Sequence, residues 1–408
     1  MRITDIRTRR FALPLDPPFV AAWDPTPRRT FEATIVVVET DEGLTGVGSG
    51  DTMDGFDAYR HLFVGRDPMR IADHVRTLET VTFHGGRYWP LEAALWDIVG
   101  QACGQPVSVL FGNAADRLCA YASTGAARSP AERAEVALDL QAEGFRAMKI
   151  RIRRDRLAEG LTSVRAVRDA VGDSMDLMVD LNQAWRMPGD IDPSLDPVAV
   201  RRIADELAEL GVLWLEEPLD GNDFAGLAAL RAGSRVRIAG GEMVRTVGEL
   251  LALLDADALD VYQHDVVLAV GLWRGRMVAE LARARNRWFT PHTWSNGLGL
   301  VANLHVAAGV GAGPYLEFPT TRRPGTRHGG TSCSPSRSGS TRTATSPCPD
   351  GPGSVSTSTG TAWRRWNRTV EVPIGGVGPG PRRWRHPRRG AAATGGAVSR
   401  PGGGRAPG

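Results

Sequence analysis

Lysine is almost missing from this chain: of 49 basic residues in 408, 48 are arginine and one is Lys149. A coding bias towards arginine accounts for the shortage and makes the exception informative. Arginine keeps its proton at any working pH, whereas a lysine buried near other cations can release one. Cysteine is sparse too. Cys103, Cys119, Cys333 and Cys348 contain no CxxC pair, so neither a disulfide framework nor a thiolate metal site is expected. No apolar run approaches the ~20 residues that span a bilayer, and the opening MRITDIRTRRFALPL lacks the layout of a secretory leader. A cytoplasmic location without a membrane partner is the matching expectation. Acids are scarce in one region only. Residues 320–408 hold 15 Arg and two acids, Asp350 and Glu371, which leaves 34 basic and 44 acidic residues in 1–319. The body is near −10 and the tail near +13, a contrast that one packed domain rarely carries.

The length fits a barrel-sized domain with an accessory one. Within residues 1–118, TFEATIVVVETDEGLTGVGSG reads as two strands joined by a DEG turn. Its glycines fit neither GxGxxG nor GxxxxGK[ST], so they read as turn residues rather than a phosphate loop. Residues 56–110 read as helical, with Gly104 a C-terminal stop. From residue 119 to 319, short apolar strands alternate with amphipathic helices: LCAYAS, AMKIRI, LMVDLN, VLWLEE, VRIAGGE, LDVYQHD, WFTPH and PYLEF. Eight strands with helical crossovers predict a closed parallel βα barrel, and an open doubly wound sheet is the alternative.

Polar residues collect at the ends of these strands: Lys149 and Arg151, Asp180 and Asn182, Glu216 and Glu217, Glu242, Asp265, His292 and Glu317. In a βα barrel those ends converge on one mouth. Any one of them alone reads equally well as a loop charge or a helix cap; the ordered set does not. Asp180, Glu216 and Glu242 are carboxylates from three adjacent strands, and oxygen ligands of this kind suit Mg²⁺. No His/Cys cluster points to structural zinc. Strand geometry sends Glu217 away from Glu216, so a supporting or salt-bridge role is expected for it. His292 follows a proline in FTPHTWSNG, and Asp265 lies one strand earlier in VYQHD. Such an aspartate can orient an imidazole and raise its basicity, which gives a general base. His264 and His305 read as structural.

Taken in order, KIR at 149–151, VDLNQAW at 179–185, WLEEP at 214–218, AGGE at 239–242, QHD at 263–265, PHTW at 291–294 and LEF at 316–318 resemble the motif series of the mandelate racemase subgroup of the enolase superfamily. WDIVGQACGQPVSVLFG is similar to the helix that ends that family's N-terminal domain. The resemblance covers residues 1–319. It implies an N-terminal α+β capping domain over a modified TIM-type (β/α) barrel, with Mg²⁺ on Asp180, Glu216 and Glu242. It implies a His292–Asp265 dyad on one face of the substrate and the lysine motif on the other, with Glu317 hydrogen-bonded to a developing enediolate. Loops 17–27 and 49–55 of the cap would select the substrate, and Asn182 and Trp294 would touch it. One departure matters. The family's lysine motif commonly repeats Lys at its third position, the second base of the racemases; here that residue is Arg151, a poor base expected to act as a charge clamp. The implied reaction is Mg²⁺-dependent removal of the proton α to a carboxylate, most simply in dehydration of a sugar acid or related hydroxy acid. A racemase or epimerase, which needs two opposed bases, and a cycloisomerase are the rivals within the superfamily. A catalytically inactive protein with a damaged C-terminus is the rival of another class. The partners expected are a small-molecule carboxylate and further copies of the chain; nucleic acid is not expected.

The family continues past its last strand into a segment that returns to the cap, and nothing from Thr320 onward resembles it. Periodicity stops there, and Gly, Pro, Arg, Ser and Thr dominate, a composition typical of disorder. High-GC codons allow another reading of residues 320–348. With codons so chosen and read one base back, TTRR can become YDPP and GTSCSPSRSGSTRTATSP can become RDFLLAEPVRIDADGYVP, with acids and strand-like alternation. More than one slip would be needed to continue it. The competing reading is a genuine basic tail that meets nucleic acid non-specifically. Resequencing the gene is expected to recover a frame encoding a segment such as RDFLLAEP. A verified gene equal to the present one, together with a protease-resistant C-terminus, would sink both the shifted frame and the disorder.

Overall fold

The computed structural model describes residues 1–320 and the backbone of one short strand at 354–356. Three antiparallel strands open the chain in the order β1 (Ile3–Phe19), β2 (Arg28–Thr40) and β3 (Thr45–Ser49). The DEG turn joins β2 to β3 as expected, with Gly43 at φ 79°. Helices α1 (Ile71–His84), α2 (Trp89–Cys103) and α3 (Val107–Leu110) follow, and α2 ends at Gly104 in the left-handed conformation. The next glycines are not turn residues. Gly46 and Gly48 lie inside β3, and a Cβ at Gly48 would stand 2.0 Å from the Pro90 carbonyl oxygen. They are bare because α2 crosses directly on the strand's backbone. Ile3, Val36, Val38, Leu78, Leu91, Leu95 and Ile98 form the core of this cap.

The second part alternates strand and helix: β4 (Arg117–Thr124), α4 (Pro130–Ala142), β5 (Ala147–Arg151), α5 (Leu157–Val171), β6 (Asp176–Asp180), α6 (Pro197–Glu209), β7 (Val212–Glu216), α7 (Phe224–Gly233), β8 (Arg237–Gly240), α8 (Val247–Asp255), β9 (Val261–Tyr262), α9 (Leu272–Ala284), β10 (Trp288–Phe289), α10 (Gly297–Val310) and β11 (Tyr315–Thr320). The strands pair in parallel in the order β10-β9-β8-β7-β6-β5-β4-β11. That sequential order, with no switch point, excludes the doubly wound alternative. The sheet curls until its edges meet: Phe289 N–H donates to Ala312 O at 3.3 Å and Thr293 Oγ1 to Glu317 O at 2.7 Å. A short strand β12 (Ser354–Ser356) pairs antiparallel with the start of β4. The rest of the sequence expectation for the tail falls outside the described residues. Cys103 is a free, exposed thiol, and Cys333 and Cys348 fall outside the described residues. Among the described residues no helix is long and apolar enough to cross a membrane.

Strand alternation sorts the barrel side chains into two sets. Ala120, Met148, Ile150, Leu177, Val179, Leu215 and Ile238 face outward into the layer beneath the helices. Tyr121, Ala147, Met178, Trp214, Ala239 and Val261 face inward and fill the barrel floor. Trp214 is the largest of them; Trp214→Ala would open a cavity costing roughly 3–5 kcal/mol.

Cap and barrel share more than a surface. The N-terminus of α9 has no capping side chain of its own. The carboxylate of Glu92 on α2 accepts its first amides instead, from Leu272 at 3.1 Å and Trp273 at 2.7 Å. Burial raises the Glu92 pKa to about 7 against the pull of these hydrogen bonds.

His264 is structural, as its position suggested. It is fully buried, its Nε2–H donates to Gly275 O at 2.9 Å, and burial lowers its pKa from 6.5 to about 4. The folded chain therefore binds fewer protons than the unfolded one between these values, and stability is lost as pH falls. The linkage amounts to about 3 kcal/mol between pH 7 and pH 4. Urea midpoints of the parent and of His264→Gln should diverge over that window, with the parent falling more steeply; parallel profiles would contradict this.

Candidate active site

Alternation places the site. Lys149 and Arg151 share the inward phase of Ala147 on β5, Asp180 that of Met178 on β6, Glu216 that of Trp214 on β7, and Glu317 that of Tyr315 on β11. Glu242, Asp265 and His292 lie just past the ends of β8, β9 and β10. All are buried, and His292 keeps the most exposure, at 5%.

The predicted acids converge. Ligand oxygens of Asp180, Glu216 and Glu242 all lie within 4.8 Å of one another. Lys149 Nζ stands 2.9 Å from Glu317 Oε1, 3.6 Å from Asp180 Oδ2 and 2.5 Å from Glu216 Oε1. Arg151 Nε is 3.2 Å from Asp180 Oδ2, while Nη1 donates to Ser123 Oγ at 3.2 Å. Burial raises the pKa values of Asp180, Glu216 and Glu242, against the opposing charge of Lys149 and, for Glu242, first of His292. Burial acts the same way on Glu317, but Lys149, His292 and Arg151 overcome it and hold its pKa low. Asp180 Oδ2 and Glu242 Oε2 have no hydrogen-bond donor. A buried, oxygen-only set with orphaned acceptors and surplus negative charge fits a hard divalent cation.

His292 and Asp265 also meet. His292 Nδ1 is 3.1 Å from Asp265 Oδ2, whose other oxygen accepts from Asn303 Nδ2 at 2.9 Å and from the Val267 amide at 3.0 Å. When the imidazole is neutral, the anchored aspartate favours the tautomer with its proton on Nδ1, so Nε2 is the nitrogen that exchanges a proton. Burial lowers the His292 pKa, but Glu242, Glu317 and Asp265 together raise it to about 9.

Aromatic rings roof the site. The Arg151 guanidinium lies 4.5 Å from the Trp23 ring and 4.7 Å from the Trp294 ring. The two indoles meet edge to face at 5.1 Å, with Phe19 against both. The strand-like loop that carries Trp23 is pinned to the barrel by Ala22 N–H to Gly125 O at 2.9 Å and Ala127 N–H to Val20 O at 3.0 Å. A cavity of about 900 Å³ adjoins this roof, lined by Pro17, Phe19, Asp24, Asp51, Thr52 and Trp294 among others. None of the three triad carboxylates lines it. It therefore lies beside the chemical centre rather than around it, and both expected cap loops contribute to its wall.

One sequence reading needs revision. Among the described residues Glu217 makes no salt bridge: both its oxygens are buried without a hydrogen-bond partner. Its left-handed backbone (φ 46°) breaks strand alternation. Burial, then Glu242, Asp180 and Glu216, raise its pKa well above the carboxylate range. Asn182 contributes its backbone N–H to Asp180 Oδ1 at 2.8 Å. Sequence reasoning passed over Trp185, Trp214, Gln263 and Asn303, whose N–H groups hold Glu242, Glu216 and Asp265. Trp185, Trp214 and Gln263 stood inside quoted motifs, and Asn303 did not.

Residues 3–112 match the mandelate racemase / muconate lactonizing enzyme N-terminal domain, and residues 131–353 match the enolase C-terminal domain-like family. The chain belongs to the enolase superfamily. It is 30% identical over 349 residues to the D-galactarolactone cycloisomerase of Agrobacterium fabrum, covering 79% of this chain and 89% of that enzyme. It is 30% identical to the L-talarate/galactarate dehydratase of Salmonella typhimurium, covering 56% of this chain and 54% of that one. A racemase from Streptomyces coelicolor, solved with bound magnesium, superposes with a TM-score of 0.68 at 28% identity, covering 78% of this chain and 89% of that one. Superfamily membership thus accords with the expected fold of cap and barrel, and its relatives divide among several reactions.

Mg²⁺ at ~100 times its Kd should stabilise the protein by about 3 kcal/mol, read as a rise in Tm. Glu216→Gln should abolish the rise, and Glu217→Gln should keep part of it. No shift in the parent, or equal loss in both variants, would contradict the triad.

Proposed function

We propose that this protein is a Mg²⁺-dependent hydro-lyase that dehydrates a sugar acid or related hydroxy acid. The observation that carries this reading is the asymmetry of the bases. On one side stands His292, a titratable imidazole whose Nδ1 is held by an anchored Asp265. On the other, the third position of the lysine motif is Arg151, which stays protonated and is engaged by Ser123, Asp180 and two indoles. A racemase must return a proton to the opposite face, and it needs a second group that can lose one.

Asp180, Glu216 and Glu242 would hold the cation. Bound there, Mg²⁺ supplies positive charge at the substrate carboxylate and neutralises Glu242, the strongest raising influence on His292. The chain's own residues do the rest. His292 Nε2 takes the α-proton, and the C–H electron pair forms the new double bond. The bond to the β-hydroxyl breaks, and that oxygen leaves as water with the proton returned by His292. The enol then tautomerises to a 2-keto acid. Lys149 steadies the substrate carboxylate, and Glu317, 2.9 Å from its ammonium, holds Lys149 in place. Trp294 and the cap loops around the cavity would meet the rest of the substrate.

Cycloisomerisation is the second reading, supported by the similarity that spans 89% of the D-galactarolactone cycloisomerase. Mass spectrometry of products from a panel of acid sugars and their lactones separates the two: dehydration removes one water, and isomerisation leaves the mass unchanged. His292→Asn should lower kcat by ~10²–10⁴ and stop α-proton exchange into D₂O, while Mg²⁺ still binds. Lys149→Arg keeps the charge with the wrong shape and should lose most activity. Fast exchange in His292→Asn would reveal a second base and put the racemase reading in place of this one.

A further inference from the structure

The three triad carboxylates share a pattern. Each has one oxygen fixed by an N–H donor outside the lysine motif. Asp180 Oδ1 accepts from the Asn182 amide at 2.8 Å. Glu216 Oε2 accepts from Trp214 Nε1 at 3.0 Å and Gln263 Nε2 at 2.7 Å. Glu242 Oε1 accepts from Trp185 Nε1 at 2.8 Å.

The three differ in what else holds them. Asp180 and Glu216 end strands, so the parallel ladder sets their backbones, and both contact Lys149. Glu242 has neither support. It lies two residues beyond β8, after Gly241 at φ 93°, and no Lys or Arg pairs with it among the described residues. The cationic group beside it is His292, at 3.7 Å from an oxygen that has no hydrogen bond. A carboxylate on a turn, outside the strand ladder, needs an outside tie to present one oxygen reproducibly. Trp185 is that tie.

Trp185 itself is set on a braced loop. The buried Gln183 side chain donates to Pro218 O at 2.7 Å and accepts from the Leu195 amide at 2.8 Å. Gly221 N–H donates to Ala184 O at 3.2 Å, and Gln183 N–H donates to Glu217 O at 3.1 Å. The loop after β6 is thereby bolted to the loop after β7, and the indole reaches from it to the carboxylate beyond β8.

We infer that Trp185 is a positioning residue of the metal centre: its indole N–H fixes Glu242 Oε1 so that Oε2 faces the cation. This rests on the reading of the triad as a metal site. Donors behind a ligand orient it, and their removal typically lowers metal affinity by ~10–100-fold.

The test is Mg²⁺ calorimetry on the full chain with Trp185→Phe, which keeps an aromatic ring and removes the donor, and Trp185→His, which keeps an N–H on a smaller ring. The expected result is a Kd raised by ~10–100-fold in the phenylalanine variant and by less in the histidine variant, with both metal-free proteins melting with the parent. Should the phenylalanine variant not fold, the isosteric benzothienyl amino acid at this position, with sulfur in place of N–H, carries the same measurement. Affinity equal to the parent's in the donor-less protein overturns the inference. Equal losses in the phenylalanine and histidine variants also overturn it, because packing rather than the N–H would then be responsible. A parent that binds no Mg²⁺ overturns the metal reading itself, and this inference with it.

Discussion

An excess of buried negative charge is the constraint around which the barrel mouth is built. Asp180, Glu216, Glu217, Glu242, Asp265 and Glu317 are all withdrawn from water, and the permanent cations among them are Lys149 and Arg151. Removing a carboxylate from water without a partner costs several kcal/mol, so each one must be answered by a donor, a cation or a proton. Asp265 is answered by Asn303, the Val267 amide and His292; Glu317 by Lys149 and the Thr293 amide. Glu242 and Glu217 are answered least, and the space between them and Asp180 is where charge from solution is most strongly wanted.

Arginine at the third position of the lysine motif changes two properties together. It removes a base from one face, and it supplies a planar cation that two indoles can grip. Trp23 comes from the cap and Trp294 from the barrel. A contact of this kind is worth ~0.5–2 kcal/mol when desolvated, enough to bias a short loop between arrangements. The same side chain thus shapes both the proton inventory and the roof.

Much of this was legible from residue order. Period-two alternation in AMKIRI, LMVDLN and VLWLEE is enough to put Lys149, Asp180 and Glu216 on one inner face, and the scarcity of lysine drew attention to Lys149. The His292–Asp265 contact follows from strand neighbours. What escaped was set by backbone detail or by long-range hydrogen bonds. Glu217 follows strand geometry in the sequence, but a left-handed φ turns it back. Trp185 is three sequence positions past an expected strand, and nothing local says that its N–H meets Glu242, 57 residues on. Gly46 and Gly48 resemble turn residues until the helix that presses on them is known. Asn303 lies on α10, where its amide looks like an ordinary helix residue.

Glu92 has a consequence for how the molecule assembles. The amides it receives lie 180 and 181 residues away in the chain. The cap's own apolar core is likewise completed by Val266, Leu272, Ala279, Ala302 and Val306 from late barrel segments. During synthesis the first hundred residues therefore emerge long before the surfaces that finish them, and closing so large a loop is entropically slow. A barrel made without its cap would begin α9 with two unanswered N–H groups, and a cap made without its barrel would keep a bare carboxylate facing water. The two segments match separate families but are interdependent as a folding unit, so exchanging one for a relative's transfers half of a helix cap along with the substrate loops.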